Sequence, residues 1–360
     1  MKKLLAMGAG IFMSVLVFVP IMEAADRNDY DLLSTDPATG LYRYRANSSF
    51  KTVGDCYENT VDINNLGFHG PPVSREKGED VFRIVVIGSS YASAIQVPIK
   101  DMYSTLLQEK LNADLRRASA YEVIPIALGQ NRTLLNMFYY LNYGAALKPD
   151  VVVTIESDYE LVTQNSIDIP TFDAQGALVL ETPKSGESAL VAFIRSISRH
   201  AKLLVNLYNR FLVLKSSVSS FLADPFSSAV ATASPADAPS TEDAMQAEQA
   251  RWQMKEKILS AYAKQVMRDG AQFVFASWTG RWVATSTALE LPRHLKDISA
   301  RNDFSYVDLA PAFRAAELSS GRQGRYECDY HWNPDGNRYI ANALFNYLTS
   351  HPELLSRPSP

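Results

Sequence analysis

The fold is decided by one short stretch, Arg83-Ile84-Val85-Val86-Ile87-Gly88-Ser89-Ser90-Tyr91. The β-branched run that ends at Ile87 predicts a buried strand, and Gly88 predicts a tight turn directly after it. Beyond the turn, apolar residues recur at helical spacing; they are Tyr103, Leu106, Leu107, Leu111 and Leu115. The stretch therefore predicts a strand, a loop that holds Ser90, and an amphipathic helix.

The same alternation recurs along the chain. Further apolar runs at 123–128, 151–155, 273–276 and 304–307 are separated by helix-like stretches. Five such strands predict an α/β fold with a flavodoxin-like, doubly wound parallel sheet. Ligands of such sheets bind beyond the carboxyl ends of the strands, so we expect Ser90 at the edge of a binding site.

The regions around the sheet differ in composition. Residues 26–80 are polar and turn-rich, which predicts an extended N-terminal arm with little regular structure, and residues 81–350 form the predicted α/β domain. An insertion at about 160–245 interrupts that domain. Its first part, 186–222, has helical spacing, whereas 223–240 is rich in Ala, Ser and Pro and predicts a disordered loop.

The N-terminus has the pattern of an export segment. Lys2 and Lys3 precede an apolar stretch at 4–22, which ends at small residues. Residues 1–25 are therefore predicted to be a signal peptide or an N-terminal anchor. We favour cleavage; in the alternative, residues 4–22 stay in the membrane and hold the protein there. Both interpretations predict a periplasmic or secreted protein.

The net charge and the spacing of Cys and His residues argue against two classes of protein, nucleic-acid binders and metalloproteins. The net charge of −4 gives no basic surface, so we do not expect a nucleic-acid partner. No Cys/His cluster has metal-ligand spacing, and we expect neither a metal nor a cofactor.

The two cysteines, Cys56 and Cys328, form one disulfide in an oxidising compartment or remain as two thiols. The sequence gives no oligomeric state.

One set of residues has the composition of a nucleophilic site. A serine hydroxyl needs a neighbouring base, and that base needs a carboxylate that fixes its tautomer. Ser90 follows a buried strand, and Asp329 and His331 lie two residues apart before an amphipathic helix. We predict that His331 lies within or near hydrogen-bond reach of Ser90. Each residue alone also fits a turn, a helix cap or a surface position.

Four motifs resemble the SGNH (GDSL-type) serine hydrolases, in particular their exported bacterial members. The stretch 83–91 resembles the block in which a strand runs into Gly-Asp-Ser, Asn64-Asn65-Leu66-Gly67-Phe68 resembles their lead-in, and Pro149-Asp150-Val151-Val152-Val153 resembles their third strand. The closing block Asp329-Tyr330-His331-Trp332-Asn333-Pro334 is the most specific match, and it also resembles periplasmic proteins that O-acetylate alginate and related polysaccharides. The resemblance spans most of residues 60–350 and implies the SGNH hydrolase fold, with Ser90, Asp329 and His331 as the catalytic triad.

The chain departs from the family pattern where the oxyanion hole is expected. Ser89 stands in place of the family's Asp, Ala127 or Gly129 in place of a Gly, and Ser157 in place of an Asn. The resemblance then implies that the donors are the backbone N–H of Ser90, an N–H near Ala127 to Gly129, and the hydroxyl of Ser157.

Three functions fit these observations. The favoured one is an exported serine esterase or deacylase that forms an acyl-serine intermediate on an acylated glycan, an acylated small molecule or another envelope ester. The second is a polysaccharide O-acetyltransferase with the same triad. The third is a catalytically weak or inactive glycan-binding pseudoenzyme, which the changes at Ser89 and Ser157 favour.

Overall fold

The structure is a computed structural model that describes residues 33–113, 120–129, 133–157, 171–172, 178–179, 241–279 and 285–356. The chain divides into two compact units. One comprises Met1–Asp31 and Pro183–Gln249, and of it the structure describes only residues 241–249, which are helical. The other comprises Leu32–Thr182 and Ala250–Pro360 and holds the sheet described below.

The described residues begin with two β-hairpins, after which strands and helices follow in turn. In chain order they are β1 (Leu33–Thr35), β2 (Tyr42–Tyr44), β3 (Ser49–Gly54), β4 (Tyr57–Asp62), β5 (Val81–Gly88), α1 (Ser90–Ser93), α2 (Tyr103–Ala113), β6 (Ala120–Ala127), α3 (Thr133–Tyr139), β7 (Val151–Ser157), β8 (Thr171–Phe172), β9 (Leu178–Val179), α4 (Thr241–Arg268), β10 (Gln272–Trp278), α5 (Thr285–Arg301), β11 (Ser305–Asp308), α6 (Ala310–Ser320) and α7 (Pro334–Ser350). Short 3₁₀ turns cover Ile99–Asp101, Ala145–Leu147 and Pro352–Leu355, and one π-helical turn covers Tyr140–Gly144.

The central sheet has five strands in the order β6-β5-β7-β10-β11, and each neighbouring pair is parallel. Counted along the chain within this sheet, the order is 2-1-3-4-5, which is the flavodoxin-like arrangement. The predicted fold class is therefore confirmed. Because all five strands run the same way, their carboxyl ends meet at one edge, which is where Ser90 follows β5.

Each face of the sheet is covered by its own apolar core. Ile84 and Val86 of β5 point into the core formed with α2, α6 and α7, whereas Val85 and Ile87 point into the core formed with α3, α4 and α5. A strand that is covered on both faces is continuously apolar. This explains why the stretch before Gly88 contains no polar residue after Arg83.

The N-terminal arm is more regular than the sequence indicates. Strands β1 and β2 form one antiparallel pair, and β3 and β4 form a second. In β4 the burial of side chains alternates, and Val61 is fully buried while its neighbours are exposed. The expectation of little regular structure is thus wrong for residues 33–62, because most polar residues of the second pair occupy its outward positions.

Several expectations lie outside the described residues: the export segment at 1–25, the disordered loop at 223–240, the helical stretch at 186–222, and Leu115. The domain boundaries remain predictions. In the part of the chain that the structure describes, no helix combines the length and apolar character needed to cross a membrane.

Candidate active site

A sharp change of direction at the end of β5 presents Ser90. Gly88 closes the strand, and a Cβ at that position would lie only 2.6 Å from the carbonyl oxygen of Ile155 and 2.7 Å from the Cβ of Ala92. Ser89 is extended, and Ser90 begins the four-residue helix α1. The missing side chain at Gly88 therefore lets the chain turn directly from the strand into the helix, with Ser90 half-buried at the sheet edge.

The backbone of Ser90 is held from its C-terminal side. Its carbonyl accepts hydrogen bonds from the hydroxyl of Ser93 at 2.8 Å and from the amide of Ala94 at 3.2 Å. Ala94 adopts a left-handed conformation, with φ of 48°, and ends the helix there. The position of Ser90 thus depends on a single compact turn.

Asp329 and His331 lie in the loop between α6 and α7. The amide of Tyr326 donates to the carbonyl of His331 at 2.9 Å, and the amide of Tyr330 donates to the carbonyl of Tyr326 at 3.0 Å. Tyr330 has φ of 63°, a left-handed conformation that is uncommon for residues other than Gly, Asn and Asp. These bonds fold the loop tightly enough to place both candidate side chains on one side.

The structure brings the three predicted side chains together. The Nε2 atom of His331 lies 2.9 Å from the Oγ atom of Ser90, and its Nδ1 atom lies 3.2 Å from Oδ2 of Asp329. Asp329 also accepts a hydrogen bond from the backbone amide of His331 at 3.0 Å through Oδ1. A carboxylate beside Nδ1 favours the tautomer with a proton on Nδ1, which leaves Nε2 free to accept the proton of Ser90.

The electrostatics of Asp329 suit this arrangement. Burial alone would raise the pKa of Asp329, but hydrogen bonds from the side chain and the backbone of His331, with a smaller contribution from the hydroxyl of Tyr57, lower that pKa below its usual value. Asp329 is therefore a carboxylate at neutral pH, and it keeps its acceptor role toward Nδ1.

An aromatic ring packs against the imidazole. The ring of Tyr91 lies 4.9 Å from the ring of His331 and 5.2 Å from that of Trp332, and Trp332 in turn lies 5.5 Å from Trp278. Tyr91, Trp278 and Trp332 are all buried. Tyr91 restricts the rotation of His331 from the side of the apolar core, and the two Trp rings hold Tyr91 in place.

The candidate oxyanion donors come from three neighbouring strands. Ala127 pairs in register with Gly88, and Ser157 lies two residues beyond Ile155, which also pairs with Gly88. Ala127 and Ser157 are buried, whereas Gly129 lies in an exposed turn. Ala127, Ser157 and Ser90 thus lie at the same sheet edge, and their role toward an oxyanion remains a prediction.

The β3–β4 hairpin of the N-terminal arm also contributes to the site. Cys56 lies in the turn of this hairpin and forms a disulfide with Cys328, the residue before Asp329. Tyr57 follows in the chain, and its hydroxyl interacts with Asp329. The even number of cysteines indicated the bridge as one of two outcomes, but no pattern in the sequence pointed to Tyr57.

His69, which no motif in the sequence singles out, contacts the segment that follows Ser90. Its Nδ1 atom lies 3.0 Å from the carbonyl of Ser93, and its side chain is buried. Burial lowers the pKa of His69, which favours the neutral ring. His69 therefore supports the chain segment that follows Ser90.

A pocket of about 490 Å³ lies at the opposite edge of the sheet. It is lined by residues that include Gln272 and Phe273 at the start of β10, Ser305 at the start of β11, and Glu353 and Leu354. The amino ends of parallel strands face away from the carboxyl edge. This pocket is therefore separate from the Ser90 site.

Within the described residues, no group of His, Cys, Asp and Glu side chains is arranged to hold a metal ion.

The sequence matches no protein-family model and no curated protein. Solved structures of esterases and lipases are similar to the chain. An acetyl xylan esterase, AlAXEase, has 13% identity and a TM-score of 0.41, with 74% of this chain and 100% of that chain covered. A lipase/acylhydrolase from Enterococcus faecalis has 8% identity and a TM-score of 0.42, with 75% and 96% covered. The esterase EstA from Pseudoalteromonas sp. has 10% identity and a TM-score of 0.40, with 75% and 98% covered. Because all three TM-scores are below 0.5, the function is inferred from this chain's own residues.

Proposed function

We propose that this protein is a serine esterase or deacylase in which Ser90 is the nucleophile, His331 the general base and Asp329 the residue that orients His331. The observation that carries the proposal is the continuous chain of contacts from Ser90 Oγ through both ring nitrogens of His331 to Asp329, at 2.9 Å and 3.2 Å. Nucleophile, base and orienting carboxylate within hydrogen-bond distance of one another are the geometric signature of this chemistry.

The reaction has two halves. Ser90 Oγ attacks the ester carbonyl while its proton passes to Nε2 of His331, and the resulting imidazolium gives that proton to the departing alcohol as the C–O bond breaks. Water then attacks the acyl-serine ester and loses a proton to Nε2. When the new tetrahedral species collapses, the carboxylic acid leaves and the proton returns to Ser90 Oγ.

The tetrahedral oxygen needs hydrogen-bond donors. We propose the backbone N–H of Ser90, an N–H near Ala127 to Gly129, and the hydroxyl of Ser157. The register of the sheet supports this proposal, since Ala127 pairs with Gly88 and Ser157 lies two residues beyond another partner of Gly88. Donors that are fixed by a sheet edge need no reorganisation during the reaction.

We propose an extracytoplasmic substrate, such as an acylated glycan. The disulfide between Cys56 and Cys328 supports an oxidising compartment, and the charge pattern of residues 1–25 supports export. The mass of the protein isolated from cells tests the second point: loss of about 25 residues would support a cleaved signal, and a full-length chain in the membrane fraction would support an anchor.

A second function, transfer of an acyl group to a sugar hydroxyl, is favoured by the closing block Asp329-Tyr330-His331-Trp332-Asn333-Pro334, which resembles that of polysaccharide O-acetylation proteins. It uses the same acyl-serine intermediate and differs only in the acceptor. Incubation with a small acetyl ester and an excess of an oligosaccharide separates the two: acetate as the sole product supports hydrolysis, and acetylated oligosaccharide supports transfer.

Covalent labelling tests the nucleophile. A fluorophosphonate probe is expected to label the wild-type protein, and Ser90→Ala is expected to abolish the label. Ser350→Ala is a matched control, because Ser350 is exposed at the end of α7, and it should label like the wild type. Folded wild-type protein that does not react would contradict the proposal and favour the pseudoenzyme.

A further inference from the structure

The β3–β4 hairpin is joined covalently to the loop that carries Asp329 and His331. Cys56 lies in the two-residue turn of the hairpin, and its disulfide to Cys328 spans 272 residues of sequence. The Cα atoms of the two cysteines are 5.9 Å apart. Since Asp329 follows Cys328 directly, the hairpin limits the positions that this carboxylate can take.

The same hairpin is also attached to the segment that follows Ser90. The side-chain amide of Asn59, in β4, donates to the carbonyls of Ile95 and Val97 at 2.9 Å and 2.8 Å. Asn59 is buried, and a buried donor that loses its partner carries a desolvation penalty. The hairpin therefore bridges the two chain segments that contribute the candidate triad.

Tyr57 is the hairpin residue directed toward Asp329. Its ring lies over Gly54, where an added Cβ would overlap the ring, and packs 5.1 Å from the ring of Tyr326. Its hydroxyl interacts with the carboxylate of Asp329, and each group shifts the pKa of the other. Burial, and then the negative charge of Asp329, raise the pKa of Tyr57, so the phenol keeps its proton and is the donor.

We propose that Tyr57 is a positioning residue that holds the carboxylate of Asp329 toward His331, and that the Cys56–Cys328 disulfide fixes the hairpin for this purpose. The inference rests on the proposed function. A carboxylate can accept several hydrogen bonds. The backbone amide of His331 donates to Oδ1 of Asp329, and the ring atom Nδ1 lies against Oδ2. A further donor on Asp329 opposes rotation of the carboxylate out of the plane of the imidazole. The titratable groups that face Asp329 are His331, Tyr57 and Tyr326.

The central test is Tyr57→Phe, which removes the hydroxyl and keeps the ring. We expect kcat on a small ester and the rate of fluorophosphonate labelling to fall about 10-fold, with KM unchanged, because one hydrogen bond to a charged group is lost. In an Asp329→Asn background the same change should have no further effect, because a residue that acts through Asp329 has nothing left to orient. Equal losses in both backgrounds would overturn the proposal.

An NMR signal distinguishes a loss of positioning of Asp329 from a general loss of structure. The low-field proton resonance of His331 Nδ1–H reports on its bond to Asp329, and we expect Tyr57→Phe to shift or broaden it. Val53→Ala is the matched control, since Val53 lies in the same hairpin with 68% of its surface exposed, and it should leave the resonance and the rates unchanged.

The disulfide is tested by the Cys56→Ser/Cys328→Ser double variant, with circular dichroism to establish that it folds. We expect the same loss of kcat and the same change in the resonance as in Tyr57→Phe. Full activity in a folded double variant would overturn the role of the disulfide. Wild-type protein that does not react with the fluorophosphonate probe would contradict the proposed function. A His331 Nδ1–H resonance that is unaffected by Tyr57→Phe would contradict this inference. The two failures are therefore distinguishable.

Discussion

The Nε2 atom of His331 lies 2.9 Å from the Oγ atom of Ser90, although 241 residues separate the two in the chain. Strand β5 presents Ser90 at the carboxyl edge of the parallel sheet, and the loop before α7 brings His331 to that edge. A third residue supports the contact, because the carboxylate of Asp329 beside Nδ1 favours the tautomer in which Nε2 is unprotonated and can accept the proton of Ser90.

We expect Asp329→Asn to lower kcat on a small ester by roughly 10²–10⁴-fold with a small effect on KM, because an amide in this position favours the wrong tautomer of His331. Asp303→Asn is a matched control, because Asp303 is exposed and precedes β11 at the opposite edge of the sheet. Steady-state kinetics on both variants checks the expectation. Equal activity of Asp329→Asn and the wild type would contradict the triad.

Stability should depend on pH through the same carboxylate. The pKa of Asp329 is lowered in the folded protein, so its stabilising contribution is present at pH values above the unfolded value of 3.8 and is lost as the pH falls through the folded pKa. The free energy of unfolding of the wild type should therefore approach that of Asp329→Asn below pH 3.8. Urea denaturation of both proteins at a series of pH values measures this. A difference that widens as the pH falls would reverse the sign of the prediction.

The sequence predicts the parts of the site that depend on local pattern. The apolar run before Gly88 places Ser90 after a strand, and the spacing of Asp329 and His331 before an amphipathic helix places both in one loop. Tyr57 could not be predicted in this way. Its role depends on which distant loop the hairpin meets, and the alternation of β3 and β4 carries no information about that partner. The left-handed backbone of Tyr330 is also invisible in the sequence, because Tyr has no preference for that conformation.

Gly88→Ala should reduce stability by about 1–3 kcal/mol, because the new methyl group would overlap the carbonyl of Ile155 and the side chain of Ala92. Gly129→Ala is the comparison for stability alone, since a Cβ there meets no atom within 4 Å. Thermal or urea unfolding measures both. If Gly88→Ala is as stable as the wild type, the tight turn into α1 does not depend on this close approach.

Two substitutions at Tyr330 separate its backbone from its ring. Asn accepts a left-handed conformation and Val does not, while both remove the aromatic side chain. With φ of 63° at this position, we expect Tyr330→Asn to keep the labelling rate of Ser90 above that of Tyr330→Val, because the loop that holds Asp329 and His331 stays folded only in the first. Equal rates would show that the strained backbone at Tyr330 does not contribute to the position of His331.

The proposed oxyanion hole is tested at Ser157, where the SGNH hydrolases that the sequence resembles have an Asn. Ser157 is buried at the end of β7, on the same face of that strand as Ile155, which belongs to the core that contains Trp278 and Trp332. A Ser side chain is shorter than Asn by about one amide group, so two backbone donors would supply most of the stabilisation of the oxyanion in the present chain. We therefore expect Ser157→Asn to raise kcat on a small acyl ester, and Ser157→Ala to lower it if the hydroxyl is a donor. Ser90→Ala gives the background rate for both. A clear fall in the kcat of folded Ser157→Asn would mean that the site is built around the serine hydroxyl, and that the family's arrangement of donors does not carry over to this chain.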